Sequence, residues 1–179
     1  MDNFKNHIKP FGLINKAPEK DPMAPKYIKP DGTKVIEQQT PLGLTVYEVN
    51  PKGLLISRSY DHENKLILDY ARKGNTEIGH SYDEFGRKTY EFTTLYDEHN
   101  KFAKRTEIQY EYHQNDVKSR EFIVNTPGVV QTEILYDPDG IRIDKIEHRG
   151  TVKTFFDIND KPYKREIDRG SGGIITEEL

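Results

Sequence analysis

Six histidines, 30 acidic residues and no cysteine set the chemistry this chain can attempt. The histidines are His7, His62, His80, His99, His113 and His148, and no pair has the spacing of a zinc helix or hairpin site. His80 stands apart, because alternation puts it on an apolar strand face between Ile78 and Tyr82, where a packed, hydrogen-bonded imidazole is expected. Asp137-Pro138-Asp139-Gly140 and Asp157-Ile158-Asn159-Asp160 have the opening rhythm of calcium loops. They lack the full ligand series and its distal bidentate Glu, so turn chemistry explains them better. Glu91, Glu107 and Glu111 fall on the polar positions of two adjacent long strands and could act as paired carboxylates in glycoside hydrolysis. With so many acidic residues, such an alignment also arises by chance.

There is no Gly-x-Ser-x-Gly elbow, phosphate loop or nucleotide fingerprint, and Gly170-Ser171-Gly172-Gly173 reads as a flexible linker. No cofactor and no metal are expected. The chemistry that remains is recognition. Tyr70, Tyr82, Tyr90, Phe92, Tyr96, Tyr110 and Tyr112 would make one broad aromatic surface if a sheet curls around them. The plainer reading of the same residues is a core.

Those rings must be carried by strands. From residue 31 onward the chain alternates between short apolar/polar runs and turn chemistry, and no i, i+3, i+4, i+7 pattern lasts ten residues. Within 87–96 the even positions carry Tyr90, Phe92 and Tyr96; within 101–112 they carry Phe102, Ile108, Tyr110 and Tyr112. Alternate side chains of a strand point to opposite faces, so each strand is expected to bury one face and wet the other, as antiparallel sheets do.

A recurring turn punctuates the strands. Its fullest form is Tyr82-Asp83-Glu84-Phe85-Gly86-Arg87, with weaker copies from Tyr60, Tyr96, Tyr136 and Phe156 and a degenerate one at Tyr112-His113-Gln114-Asn115. Asp can accept amides two residues on, and Gly or Asn sits where a positive φ is easiest. The following basic residue could pair with the Asp at an exposed site worth about 0–1 kcal/mol. Gly86 is therefore expected to matter more than Arg87. Separations of 14 (82 to 96) and 16 (96 to 112) residues hold one strand, whereas longer ones hold two with a plain turn between.

Residues 1–30 are a different material, with Pro10, Pro18, Pro22, Pro25 and Pro30 and little periodicity. They read as an extended arm anchored by Phe11, Leu13, Ile14, Tyr27 and Ile28. Hydrophobic residues make up 34% and charged residues 32% of the 179, so a thick core is not expected. The 11 Tyr and 8 Phe instead suit a thin, half-wet sheet. Closely mixed charges with a net of -3 offer no polyanion-binding field, which argues against nucleic acid. No stretch approaches 18 apolar residues, so no transmembrane segment is expected. No signal peptide is legible at the N-terminus, which makes the cytoplasm the default, with non-classical export open.

Tyr-Asp-x-x-Gly-Arg at intervals near 20 resembles the YD repeats of the Rhs, teneurin and insecticidal toxin-complex family, over roughly residues 55–168. Only Tyr82–Arg87 meets the full pattern. The resemblance implies repeated β-hairpins and a bacterial, secretion or toxin-associated setting; it implies no activity. The chain is too short to close the hollow shell that long members form. The expected architecture is all-β: an arm over 1–30, then a domain over 31–179 that is a single antiparallel meander of about 11–13 strands, curled or half-barrel. The expected function is a non-enzymatic interaction protein with a protein partner, in an immunity or accessory role. The alternatives are a lipid or small-ligand carrier using the aromatic face, and a glycan-active enzyme using the face carboxylates. Exposed sheet edges could also support self-association.

Overall fold

Short β-branched and aromatic runs separated by Asp-, Asn- and Gly-centred turns leave the chain one economical option, a meander in which every strand pairs with its sequence neighbours. The computed structural model describes residues 24–127 and 130–179. The strands are β1 (Tyr27–Ile28), β2 (Lys34–Thr40), β3 (Gly43–Val49), β4 (Leu54–Tyr60), β5 (Leu66–Lys73), β6 (Thr76–Tyr82) and β7 (Lys88–Tyr96). They continue as β8 (Phe102–Tyr112), β9 (Lys118–Thr126), β10 (Val130–Tyr136), β11 (Arg142–Arg149), β12 (Val152–Phe156), β13 (Pro162–Asp168) and β14 (Ile174–Glu178). All lie in one 14-stranded antiparallel sheet in strict sequence order, β1 to β14, and the sheet does not close on itself. Among the described residues there is no α-helix; the one helical turn is a 3-10 turn at Gly170–Gly172. The expected arm anchors Tyr27 and Ile28 form β1, paired with Val35 and Lys34. Pro10, Pro18, Pro22, Phe11, Leu13, Ile14, Gly128 and Val129 lie outside the described residues.

Six turns share one backbone hydrogen-bond pattern, and five of them add the same Asp side-chain bonds. Asp61 Oδ1 accepts the amides of Glu63 (2.8 Å) and Lys65 (2.9 Å). Asp83 does the same for Phe85 and Arg87, Asp97 for His99 and Lys101, Asp137 for Asp139 and Ile141, and Asp157 for Asn159 and Lys161. The residue three after the Asp has positive φ in every copy: Asn64 63°, Gly86 79°, Asn100 61°, Gly140 82° and Asp160 60°. In the sixth turn His113 replaces the Asp, and Asp116 takes the positive φ of 64°. Asn and Asp tolerate this region because their short side chains bond locally, so glycine is replaceable here.

Each of these turns is followed by a β-bulge. Register shifts fall at Ser59/Tyr60, Ser81/Tyr82, Leu95/Tyr96, Glu111/Tyr112, Leu135/Tyr136 and Phe155/Phe156, which are the six motif aromatics. The motif is thus a turn plus one extra residue in the returning strand. An extra residue inverts the parity of everything after it relative to a straight count.

Because directly opposed residues share a face, the register defines both faces. Face A carries Tyr47, Ser57, Tyr70, Gly79 and Phe92, opposed in sequence from β3 to β7. Face B carries Arg58, Asp69, His80 and Glu91 across β4 to β7. Five motif turns lie along one rim of the sheet, and the Asp97–Lys101 turn lies on the other. Rotating a hairpin onto the opposite rim of the same meander also turns it over. Accordingly Tyr96 points to face A, where its hydroxyl donates to Glu77 (3.0 Å), whereas Tyr82 points to face B and donates to Asp69 (3.2 Å).

Among the described residues no second layer covers either face. The buried hydrophobic residues are Val35 and Ile36, both in β2. One buried and one wet face, as alternation suggested, is therefore not what forms; both faces are half-buried. Basic side chains take the place of a second layer. Arg105 lies over Phe92 (4.2 Å to the ring centre), Arg87 over Tyr112 (4.8 Å), Lys145 over Phe156 (4.9 Å) and Lys164 over Phe155 (4.6 Å). Their alkyl stems shield ring faces while the charged heads stay wet, and the cation is attracted to the ring.

Candidate functional site

The seven aromatic candidates do not make one surface. Tyr70, Tyr90, Phe92 and Tyr96 are on face A; Tyr82, Tyr110 and Tyr112 are on face B. The bulge between Tyr82 and Tyr90 separates them, since Tyr82 opposes Lys88 while Ser81 opposes Tyr90. The face A members gather at a shallow hollow of about 340 Å³ lined by Tyr47, Leu55, Ser57, Leu68, Tyr70, Ser81, Tyr90 and Phe92, with Asp69 and His80 also contributing.

Two cross-strand rows build it. One runs Ile36, Tyr47, Ser57, Tyr70, Gly79, Phe92; the other runs Gln38, Thr45, Ser59, Leu68, Ser81, Tyr90. Neither row contains a charged side chain, in a protein with 32% charged residues. The floor is made of small groups, with Ser57 and Thr45 buried and the Thr45 and Ser59 hydroxyls bonded at 3.0 Å. Gly79 is part of this floor for a steric reason: a Cβ there would sit 2.4 Å from the Phe92 ring. Large rings on β3, β5 and β7 beside small residues on β4 and β6 give a hollow rather than a flat sheet.

The tyrosine hydroxyls are turned away toward fixed partners. Tyr90 donates to Glu107 and accepts from Arg105 (3.1 Å). Burial and the neighbouring Glu77 carboxylate push the Tyr70 phenol up to about 12. What is left facing the hollow is ring surface and Leu55 and Leu68 methyls. Arg105 covers Phe92 at one edge of the hollow, but among the described residues no basic side chain stacks on Tyr47, Tyr70 or Tyr90.

The opposite side of the same strands is ionic. His80 Nδ1 donates to Asp69 (2.5 Å), and its Nε2 is 3.9 Å from Glu91, which Lys88 also contacts (2.7 Å). His80 is thus hydrogen-bonded and packed near Tyr82, with ring centres 6.4 Å apart. Burial alone would raise the Glu91 carboxyl, but Lys88 and the Tyr110 hydroxyl hold it below the usual carboxylate range. The Tyr110 phenol, desolvated and beside Glu91, is pushed up in turn.

The three face carboxylates do not converge. Glu91 opposes Ile108 on face B, whereas Glu107 opposes Phe92 and lies with Glu111 on face A. Glu107 is held below its usual range by the Tyr90 hydroxyl and Arg105, and Glu111 pairs with Arg120 (2.9 Å). A glycosidase general acid needs a raised carboxyl close to a second one, and neither Glu91 nor Glu107 has one. Asp137 and Asp157 each spend their carboxylate on two backbone amides, and among the described residues no three acidic or histidine side chains group to hold a metal ion. Nor, among the described residues, is any helix long and apolar enough to cross a membrane.

Sequence reasoning missed Tyr47, Leu55, Leu68 and the serine–glycine floor. The signal was present: Tyr47, Ser57 and Tyr70 become neighbours once β3, β4 and β5 are paired through their turns. Alternation within the strand already puts Leu68 with Tyr70; the bulge at Ser59/Tyr60 had to be counted to place Leu68 opposite Ser59. The chain matches no protein-family model and no curated protein.

Proposed function

We propose that the chain is a non-enzymatic binding module built from YD-type hairpin repeats, which engages a protein partner and serves a toxin or secreted effector in an immunity or accessory role. The observation that carries this reading is the aromatic-walled hollow, built on two cross-strand rows without charged side chains, on a sheet face that no layer among the described residues covers. On the opposite side of these strands Asp69, His80, Lys88 and Glu91 are committed to one another, whereas the hollow offers ring and methyl surface suited to side chains of a protein. The setting beside a toxin or effector rests on the likeness of the turn to YD repeats, in which six copies of one hydrogen-bonded turn accord.

The carrier alternative draws on the same hollow. Its 340 Å³ lies near the lower bound of about 300 Å³ for small-ligand sites, and it is spread along an open face rather than enclosed. Native mass spectrometry of the purified chain separates the readings. The expected spectrum shows protein alone, and a purified product of a neighbouring toxin or effector gene forms a stoichiometric complex on a sizing column. Stoichiometric lipid in the spectrum would replace the binding module with a carrier. Glycan turnover lost in Glu107→Gln would replace it with an enzyme.

A further inference from the structure

Among the described residues the sheet is one layer, with an ionic centre on face B and, on face A, two central uncharged rows whose charged neighbours Lys34, Arg72 and Glu77 lie toward one rim. We infer that face A across β2 to β7 is a self-complementary interface, and that the partner it fits is a second copy of this chain, packed sheet on sheet. The inference rests on reading the sheet as a binding module and names its partner.

Three observations support it together. First, the two rows through the hollow carry no charge, and of the charged groups beside them on face A, Arg72 and Glu77 pair with each other (3.3 Å) while Lys34 is exposed at the same rim, so two copies can meet about a two-fold axis with charge kept to the edge. Face B cannot do this: its central row includes Arg58, Asp69, His80 and Glu91, whose desolvation between sheets would be costly. Second, stacks of Arg or Lys on rings cover aromatics on both faces, but Tyr47, Tyr70 and Tyr90 have none among the described residues. Third, the area of the face, counted with its polar rim of Lys34, Arg72 and Glu77, approaches what a stable interface needs. Six strands about 4.8 Å apart and seven residues of about 3.3 Å each span roughly 550 Å² in projection. Side-chain relief raises the accessible area toward the about 800 Å² per partner of a stable interface. Two such faces about 10 Å apart make the two-layer sandwich that a lone sheet lacks.

Leu68 and Ile78 make a matched test, because they are 40% and 39% exposed on opposite faces. Sedimentation velocity of the full chain at micromolar concentration should give twice 20.8 kDa. Leu68→Asp should weaken the dimer at least tenfold, and Ile78→Asp should leave it within twofold. Oxidative footprinting of the unaltered chain covers the case in which Leu68→Asp does not fold. On dilution below the dissociation constant, Tyr47, Tyr70 and Tyr90 should gain reactivity while Tyr82 and Tyr110 stay constant. A monomer at all concentrations, or equal effects of the two substitutions, overturns the inference. If such a monomer still binds a different protein, the homodimer falls while the binding-module reading stands.

Discussion

Arg87 does more than its place beside Asp83 suggests. Its Nε donates to Asp83 (2.8 Å), its Nη1 donates to Asp116 in the next turn (2.6 Å), and its guanidinium lies over both Phe85 and Tyr112 at 4.8 Å. One side chain thereby ties two turns and covers a ring, which an exposed ion pair of about 0–1 kcal/mol does not describe. Arg87→Ala is therefore expected to lower the urea midpoint measurably, with Arg87→Lys recovering less than half of the loss because a lysine cannot fork between two carboxylates and stack as well. Gly86, with φ of 79°, remains the more sensitive position toward a β-branched residue. Gly86→Val should cost about 2 kcal/mol or more, while Gly86→Asn should cost under about 1 kcal/mol, since Asn64 and Asn100 already adopt this conformation in sister turns. Urea midpoints of the four variants check the order. Equal losses for Gly86→Val and Gly86→Asn would show that backbone conformation is not what this position supplies.

The element that decides the site is the bulge. Strand boundaries were largely legible: the runs read as 87–96 and 101–112 are β7 and β8 within a residue. Tyr and Phe ending strands, Asp and Gly reversing them, and one strand or two per motif interval were all visible in residue types. Face membership was not. Period-2 counting holds inside a strand, but each motif turn inserts one residue into the returning strand, so the count fails six times along the chain. That is why Glu91 and Glu107 part company and why Tyr110 and Phe92 do not meet. The bulges also leave Gly79 beneath Phe92 on face A. Gly79→Ala is expected to lose about 1–3 kcal/mol through overpacking against the ring, and Phe92→Leu in the same chain should return part of it. Additive losses in that double-mutant cycle would mean the two residues are not in contact.

At the scale of the whole molecule, stability comes from breadth: long ladders, laced turns and ring–cation stacks in place of a central core. Along the rim, His113 Nε2 lies 2.9 Å from the Tyr136 carbonyl, Asn115 donates to the Pro138 carbonyl (2.7 Å), and Arg142 reaches Asp160 and the Asp157 carbonyl. Such a molecule should be sensitive to alkali on face A. The Tyr70 phenol titrates at about 12 in the folded chain against an ordinary value of 10.0, so its neutral form is the one folding favours. Its contribution is complete below pH 10 and is lost as pH rises toward about 12. Tyrosinate absorbance should show a late-titrating phenol that is absent in Tyr70→Phe, and the variant should lose stability less steeply over that interval.

The proposed self-coverage of face A, with face B left open, is tested most directly by thiol accessibility, which the lack of native cysteine makes clean. Leu68→Cys and Ile78→Cys place single thiols at matched exposure on the two faces. In folded protein the thiol at 78 should react with a maleimide at nearly the rate of a free peptide at every concentration. The thiol at 68 should be protected at high concentration and freed on dilution. Protection of both thiols even in dilute protein would mean that a second layer already covers the sheet, and equal, concentration-independent reactivity would mean that face A covers nothing.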